Sequence, residues 1–272
     1  MAYSGPISQI RRSRTYGRRF VSTIMGGIKR NCFFMHIPKC GGTSLSEGLN
    51  ALVPLYKRIG VVDANATRRA IGIVRADRDD NFVWHDDLER GGAVHELREQ
   101  MLLTHMAWST PLVYGHVFFS ERAWRHFGES YHFVTLMREP VSRTISSFAH
   151  SAFNGLVEND FDAYLQGPFI RTHGLGFLRY FSGRHWIPET EEADALEVAK
   201  RNMGRFSVIG FLDDLPRFEQ DVTGIVGRAL KIYHYNEKRN SPPMTSMEQD
   251  LLLKQRLATE IKLWEYARDK FN

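Results

Sequence analysis

The chain has 272 residues, of which 43% are hydrophobic and 12% aromatic, and this composition excludes a disordered chain because it supplies a sizeable core. The net charge of +5 favours anionic partners, among them nucleotides, acidic glycans, nucleic acids and lipid headgroups. The two cysteines exclude a disulfide framework and favour a reducing compartment. Because no apolar run reaches the ~20 residues of a transmembrane helix, we expect a cytoplasmic protein without a membrane span.

The opening segment, residues 1–30, is basic and contains no acidic residue, since the first acidic residue is Glu47. We interpret it as a flexible, solvated basic arm. Its composition is also typical of a transit peptide or of an arm that makes weak contact with a membrane surface. Residues 31–272 show no internal repeat and no linker, and are predicted to form one domain.

A strand–turn–helix junction is predicted where the apolar run that starts at Cys32 ends at Pro38. The candidate phosphate-binding residues follow: Lys39, Cys40, Gly41, Gly42, Thr43 and Ser44. Glycines let the backbone close on a phosphate, the lysine adds a charge, and the hydroxyls donate hydrogen bonds beside a helix N-terminus. This junction therefore predicts an anion site.

The spacing in this loop differs from that of the nucleoside triphosphate loop, in which lysine directly precedes Ser or Thr. Here Lys39 lies four positions before Thr43. Helix capping alone is the other explanation, because Ser44 and Glu47 have the spacing of a capping box.

The middle of the chain gives weaker signals. Short strands are predicted at 58–63 and 71–74, and a helix at 96–108. Residues 111–119 read as a buried strand, in which the central glycine indicates a bulge or a close approach of two backbones.

A second strand–turn–helix junction is predicted where the strand at 131–137 runs into Arg138 and the helix starts at Pro140. Arginine offers paired donors to a phosphate, and Ser146 on the first part of the helix adds another. Alternatively, Arg138 pairs with an acid such as Glu139. The next arginine of the helix, Arg143, is interpreted as either a phosphate ligand or a salt-bridged surface residue.

The C-terminal half contains predicted helices and strands in alternation. They are short helical pieces within 154–190, a helix at 190–203 capped by Thr190, a strand at 207–211, a helix at 215–230, a strand at 232–235 and a closing helix after a capping box of Thr245 and Glu248. Such alternation predicts an α/β fold with a P-loop-like parallel sheet flanked by helices on both faces. Ligands of such sheets sit at the carboxyl ends of the strands, where both junctions lie.

Two segments carry a resemblance to a known family. Residues 36–45, His-Ile-Pro-Lys-Cys-Gly-Gly-Thr-Ser-Leu, resemble the 5′-phosphosulfate loop of sulfotransferases that use 3′-phosphoadenosine 5′-phosphosulfate (PAPS). The residues of this loop most resemble those of the carbohydrate branch, which includes the uronosyl 2-O-sulfotransferases. Residues 138–146 resemble the 3′-phosphate motif of that family, and 178–183 and 195–211 resemble further family segments.

The resemblance implies a sulfotransferase fold and assigns roles to residues. The loop from Lys39 to Ser44 would hold the 5′-phosphosulfate, Arg138 and Ser146 would hold the 3′-phosphate, and Lys238 and Arg239 would belong to a late loop over the nucleotide. The implied reaction moves a sulfuryl group from PAPS to a hydroxyl of a sugar or polysaccharide and leaves adenosine 3′,5′-bisphosphate. No metal and no nucleic-acid partner are expected.

Two other functions stay open on the sequence. One is a P-loop phosphotransferase, for which the Gly-Lys-Ser/Thr sequence is missing. The other is a non-catalytic protein that binds nucleotides or polyanions through its basic residues.

The predicted catalytic residues are Lys39, as a charge beside the leaving group, and His116, as the base that accepts the acceptor's proton. His116 resembles the histidine that follows glycine in the 2-O-sulfotransferase branch, although Tyr114 stands where relatives often carry another histidine. The alternative for His116 is a hydrogen-bonded core histidine. The further candidates for the base are His173, His36 and Glu139.

Overall fold

The computed structural model describes residues 6–79, 85, 87–232 and 245–272, and for residues 6–12 the backbone alone. Five strands form one sheet: β1 Asn31–Met35, β2 Ile59–Val62, β3 Leu112–Gly115, β4 Tyr131–Met137 and β5 Val208–Phe211. Their order is β2-β3-β1-β4-β5, and every neighbouring pair is parallel. The predicted α/β fold with a parallel sheet is confirmed.

The described helices are α1 Pro6–Met25, α2 Gly42–Asn50, α3 Ala64–Ala76, α4 Gly91–Ala107, α5 Glu121–Phe127, α6 Pro140–Phe153, α7 Phe161–Gln166, α8 Gly176–Ser182, α9 Glu192–Met203, α10 Leu215–Val226, α11 Met247–Arg256 and α12 Ala258–Phe271. A π-helix, Ile170–Gly174, and a 3-10 helix, Glu189–Glu191, lie beside α8 and α9 in the sequence. Within these described ranges, no helix is both long enough and apolar enough to cross a bilayer.

Helices cover both faces of the sheet. Successive side chains of a strand point to opposite sides, and in this sheet the side chains on both sides are apolar and need a covering layer. In β1, Phe33 and Met35 face one hydrophobic core, which α4, α8, α9 and α12 complete. Cys32 and Phe34 face the other core, which α2 and α10 complete. A strand that is buried on both faces reads as a continuous apolar run, and this is why β1 and β4 were recognisable in the sequence.

Two predictions for the middle of the chain need correction. Residues 71–74 belong to α3, not to a strand, because the Asp63 side chain accepts hydrogen bonds from Asn65 N and Ala66 N and so starts a helix. The strand predicted at 111–119 ends at Gly115. A Cβ there would lie 2.3 Å from the carbonyl oxygen of Val62, so the predicted close approach of two backbones is confirmed.

Three predicted helix boundaries in the C-terminal half also change. Helix α9 begins after the 3-10 helix that contains Thr190, whose side chain does not cap it. The closing capping box is formed by Ser246 and Gln249, one residue later than predicted. The chain then forms α11 and α12 in place of one helix, while the strand predicted at 232–235 falls mostly outside the described residues.

The basic opening segment is helical where it is described. The interpretation as a flexible tail is therefore wrong for α1. Arg19 Nε donates to Val53 O at 2.9 Å, and Ser22 Oγ donates to Ala51 O at 2.8 Å. Side-chain hydrogen bonds to a loop of the domain thus hold the second half of this helix in place.

Candidate functional site

The candidate site lies where the connections of the sheet diverge. After β1 the chain crosses towards β2, on one side, and after β4 it crosses to β5, on the other. Strands β1 and β4 are neighbours, with Met35 paired to Thr135. In open α/β sheets this divergence leaves a crevice at the carboxyl ends of the two strands, and the loops that follow them carry Lys39 and Arg138.

The loop after β1 has an unusual backbone. Lys39 has a φ of 67° and Gly41 a φ of 78°, so both lie in the left-handed region that a lysine rarely adopts. A Cβ at Gly42 would lie 2.0 Å from the His36 ring, so glycine is required beside this histidine. Gly41 caps α2 without a side-chain hydrogen bond, so the capping box predicted for Ser44 does not start the helix.

Lys39 and Arg138 bring two positive charges together. Arg138 Nη1 donates to Lys39 O at 3.4 Å, and the lysine pKa is lowered by burial and by the Arg138 charge. Among the residues that the structure describes, neither side chain forms an ion pair with a carboxylate. Two partly buried cations held side by side favour an anionic ligand between the loops.

Glu139 caps α6. Its Oε1 accepts from Val141 N at 2.9 Å and its Oε2 accepts from Ser142 N at 2.7 Å. Because both oxygens are engaged, the alternatives that Arg138 pairs with Glu139 and that Glu139 is the base are not supported. The first amides of α6 are occupied, so an anion here would depend on the side chains of Arg138 and the partly buried Ser146.

Arg143 belongs to the interior. It is 2% exposed, so the alternatives of a phosphate ligand and of a surface salt bridge are both wrong. Its Nη2 donates to Glu260 Oε1 at 3.0 Å and also contacts Gly174 O. Glu260 further accepts from Phe177 N and Leu178 N at 2.6 and 2.9 Å. This network ties α6 to α8 and α12 and fixes the helix that carries Ser146.

We expect Glu260→Gln to lower the free energy of unfolding by about 2 kcal/mol. Glutamine has no negative charge to pair with Arg143, and its NH2 group cannot accept the hydrogen bonds that a carboxylate oxygen accepts from the backbone N–H groups. Chemical denaturation measures this loss. Glu265→Gln, on the exposed side of the same helix, is the matched control and should change stability little. An unchanged unfolding midpoint for Glu260→Gln would contradict the buried network.

Two histidines stack at the carboxyl end of β1 and β3. The rings of His36 and His116 have centroids 4.4 Å apart at 28°, and His36 N donates to Gly115 O at 3.0 Å. Burial lowers the pKa of His36 to about 4. Burial, followed by the charges of His36 and Arg98, lowers the pKa of His116 well below its ordinary value. Both rings are therefore neutral at pH 7, and a neutral imidazole can accept a proton.

The surroundings of His116 fix its position. Arg98, 1% exposed, donates through Nη1 to His116 O at 3.2 Å and through Nε to Thr67 Oγ1 at 3.0 Å. The Tyr180 hydroxyl lies 3.4 Å from His116 Nδ1. Tyr114 accepts a hydrogen bond from Asn50 Nδ2 at 3.1 Å, and burial raises its pKa, so this tyrosine is not a proton acceptor at neutral pH.

The other predicted residues differ in where they lie relative to the site. His173 is on the π-helix, with its ring centroid 5.9 Å from that of Tyr164, and not at a strand end. Cys40 is buried and its thiol pKa is raised to about 12, so it offers the site only its backbone. Lys238 and Arg239 lie outside the described residues. Within the first turn of α2, Thr43 is exposed and Ser44 is partly buried.

Sequence reasoning missed Arg98, Glu260 and Tyr180. A signal existed for the first two, because each interrupts a buried apolar row on its helix. Arg98 stands between Val94 and Leu102, and Glu260 stands between Leu257 and Leu263. A charged residue in such a row indicates a buried, paired group. Tyr180 lies within 178–183, a segment that resembles the sulfotransferase family, but that resemblance assigned it no role.

The comparisons with known proteins give no assignment: no family model matches the chain, and no curated protein matches it.

Proposed function

We propose that this protein is a PAPS-dependent O-sulfotransferase that acts on a hydroxyl of a carbohydrate. The observation that carries the proposal is the pair of cations, Lys39 and Arg138, without a carboxylate partner in the described chain, at the divergence of the sheet. On the adjacent strand, β3, a neutral histidine follows the strand end. An anion site and a proton acceptor on neighbouring strands are what sulfuryl transfer requires.

The residues present fit a donor with phosphate groups at two places. The uncapped N-terminus of α2, the glycine beside His36 and the Lys39 charge suit the 5′-phosphosulfate. Arg138, in the loop after β4, and Ser146, on α6, suit the 3′-phosphate. When bound, the donor supplies the sulfuryl group and an anionic leaving group.

The chain's own groups then have distinct tasks. Lys39 places its charge beside the site of the leaving group, where negative charge grows. His116 accepts the proton of the acceptor hydroxyl, while Arg98 and Tyr180 hold it in position. The carbohydrate acceptor rests on the sequence resemblance to the 2-O-sulfotransferase branch.

The proposed function is tested by calorimetric titration with adenosine 3′,5′-bisphosphate and, separately, ATP. We expect the bisphosphate to bind more tightly, because the second phosphate of the proposed ligand is on the ribose. A preference for ATP would favour a phosphotransferase, and equal weak binding of both would favour a general polyanion-binding protein. Either result would overturn the proposal.

Arg138→Ala is expected to weaken the binding of adenosine 3′,5′-bisphosphate by about 2 kcal/mol, the range for a charge-assisted contact. Adenosine 5′-phosphate, which lacks the 3′-phosphate, should lose far less. Calorimetry measures both affinities. Arg122→Ala is the control, since that side chain is 69% exposed and lies after β3. Equal losses for the two nucleotides would show that Arg138 does not read the 3′-phosphate.

A further inference from the structure

Helix α1 is attached to the domain by its polar side. Thr23 Oγ1 accepts a hydrogen bond from Leu55 N at 2.9 Å, while Arg19 donates to Val53 O and Pro54 O at 2.9 and 3.1 Å. On a surface helix of a globular protein the apolar side normally faces the core. The orientation of α1 is the reverse.

The opposite side of α1 is apolar and open to solvent. Its large side chains form one stripe at helical spacing with a second row beside it: Tyr16 61% exposed, Phe20 56%, Ile24 70%, Val21 51% and Met25 69%. We call this set the α1 apolar face. A contiguous apolar surface of this kind marks a site of interaction, whereas single exposed apolar residues do not.

The surface around the α1 apolar face is positively charged. No acidic residue occurs before Glu47 in the sequence, and Arg14, on α1 itself, is exposed. The loop that receives the helix adds exposed Leu55 and Tyr56, 42% and 71%, followed by the exposed Lys57. Aromatic and aliphatic side chains flanked by cations are the composition of helices that lie in the interface of a membrane.

We propose that the α1 apolar face docks on an anionic lipid surface, with α1 lying in the plane of the headgroups. Charge selects this occupant over a second copy of the chain. A symmetric dimer through this face would set the same basic side chains against each other, with no carboxylate of α1 to balance them. An anionic lipid surface instead balances each cation and also takes up the apolar side chains.

The test is co-sedimentation of the full chain with vesicles of phosphatidylcholine containing about 30 mol% phosphatidylglycerol, compared with phosphatidylcholine alone. We expect binding to the anionic vesicles only, weakened by added salt. The variant Phe20→Ser/Ile24→Ser should partition at least about tenfold less, because two large apolar side chains are lost from the face. Both positions are exposed, so folding should be unaffected, as thermal melting can verify.

The matched control is Val74→Ser/Leu251→Ser, which removes two apolar side chains that are 76% and 70% exposed elsewhere on the molecule. It should bind like the wild type. Equal binding to both kinds of vesicle, or unchanged binding of Phe20→Ser/Ile24→Ser, would overturn the proposal. Absence of binding to the anionic vesicles would also overturn it. A dimer in sedimentation velocity that Phe20→Ser/Ile24→Ser dissociates would then identify a second copy of the chain as the occupant.

Discussion

Replacing Lys39 with alanine is expected to lower kcat for sulfuryl transfer by on the order of 100-fold or more, with a smaller loss in affinity for adenosine 3′,5′-bisphosphate. The physical reason is that the lysine charge, held beside Arg138, interacts most strongly with the leaving group in the transition state, when negative charge grows there. Steady-state kinetics with PAPS and a carbohydrate acceptor give kcat, and calorimetry gives the affinity.

The left-handed backbone of Lys39 calls for a second variant. Lysine and alanine both carry a Cβ, so Lys39→Ala removes the charge and leaves the strain of a φ of 67° in place. Lys39→Gly removes the charge and the strain together. If the charge is responsible, both variants lose a similar factor in kcat, while Lys262→Ala, at an exposed lysine of α12, keeps the wild-type rate. Unchanged kcat with a raised KM would show that Lys39 contributes only uniform binding.

The two junctions of the site could be predicted from the sequence because their signals are local. A buried strand reads as an apolar run, glycines mark the turn after β1, and Pro140 marks the first turn of α6. Since both strands are parallel and adjacent, their following loops necessarily meet at one edge. Local patterns thus predict the two junctions, and the observed pairing of β1 with β4 places Lys39 next to Arg138.

The contacts that set the chemistry of the site could not be predicted in this way. Arg143 and Glu260 are 117 residues apart, and their pairing depends on how α12 packs against α6. The stacking of His36 on His116 depends on the register of β1 with β3, and a strand that is apolar on both faces has no alternation that would encode this register. The attachment of α1 to the loop after α2 rests on hydrogen bonds such as that from Arg19 to Val53 O. Every residue has a backbone carbonyl, so the sequence does not show which one is the acceptor.

His116→Asn is expected to lower kcat/KM by about 10²- to 10⁴-fold, the usual worth of general-base catalysis, while nucleotide binding stays near that of the wild type. The asparagine fits the same space but does not accept a proton at neutral pH. His126→Asn, at an exposed histidine of α5, is the control and should leave the rate unchanged.

The pH profile tests the same assignment independently. A base must be neutral, so activity falls as the pH drops through its pKa in the folded enzyme. Burial, the neighbouring His36 and Arg98 lower the pKa of His116, so we expect the acidic limb of kcat/KM below ~6.5. In His116→Asn that limb should be absent from the residual activity. A core histidine predicts lowered thermal stability with the limb retained. A folded, nucleotide-binding His116→Asn that keeps more than about a tenth of the rate would exclude His116 as the base.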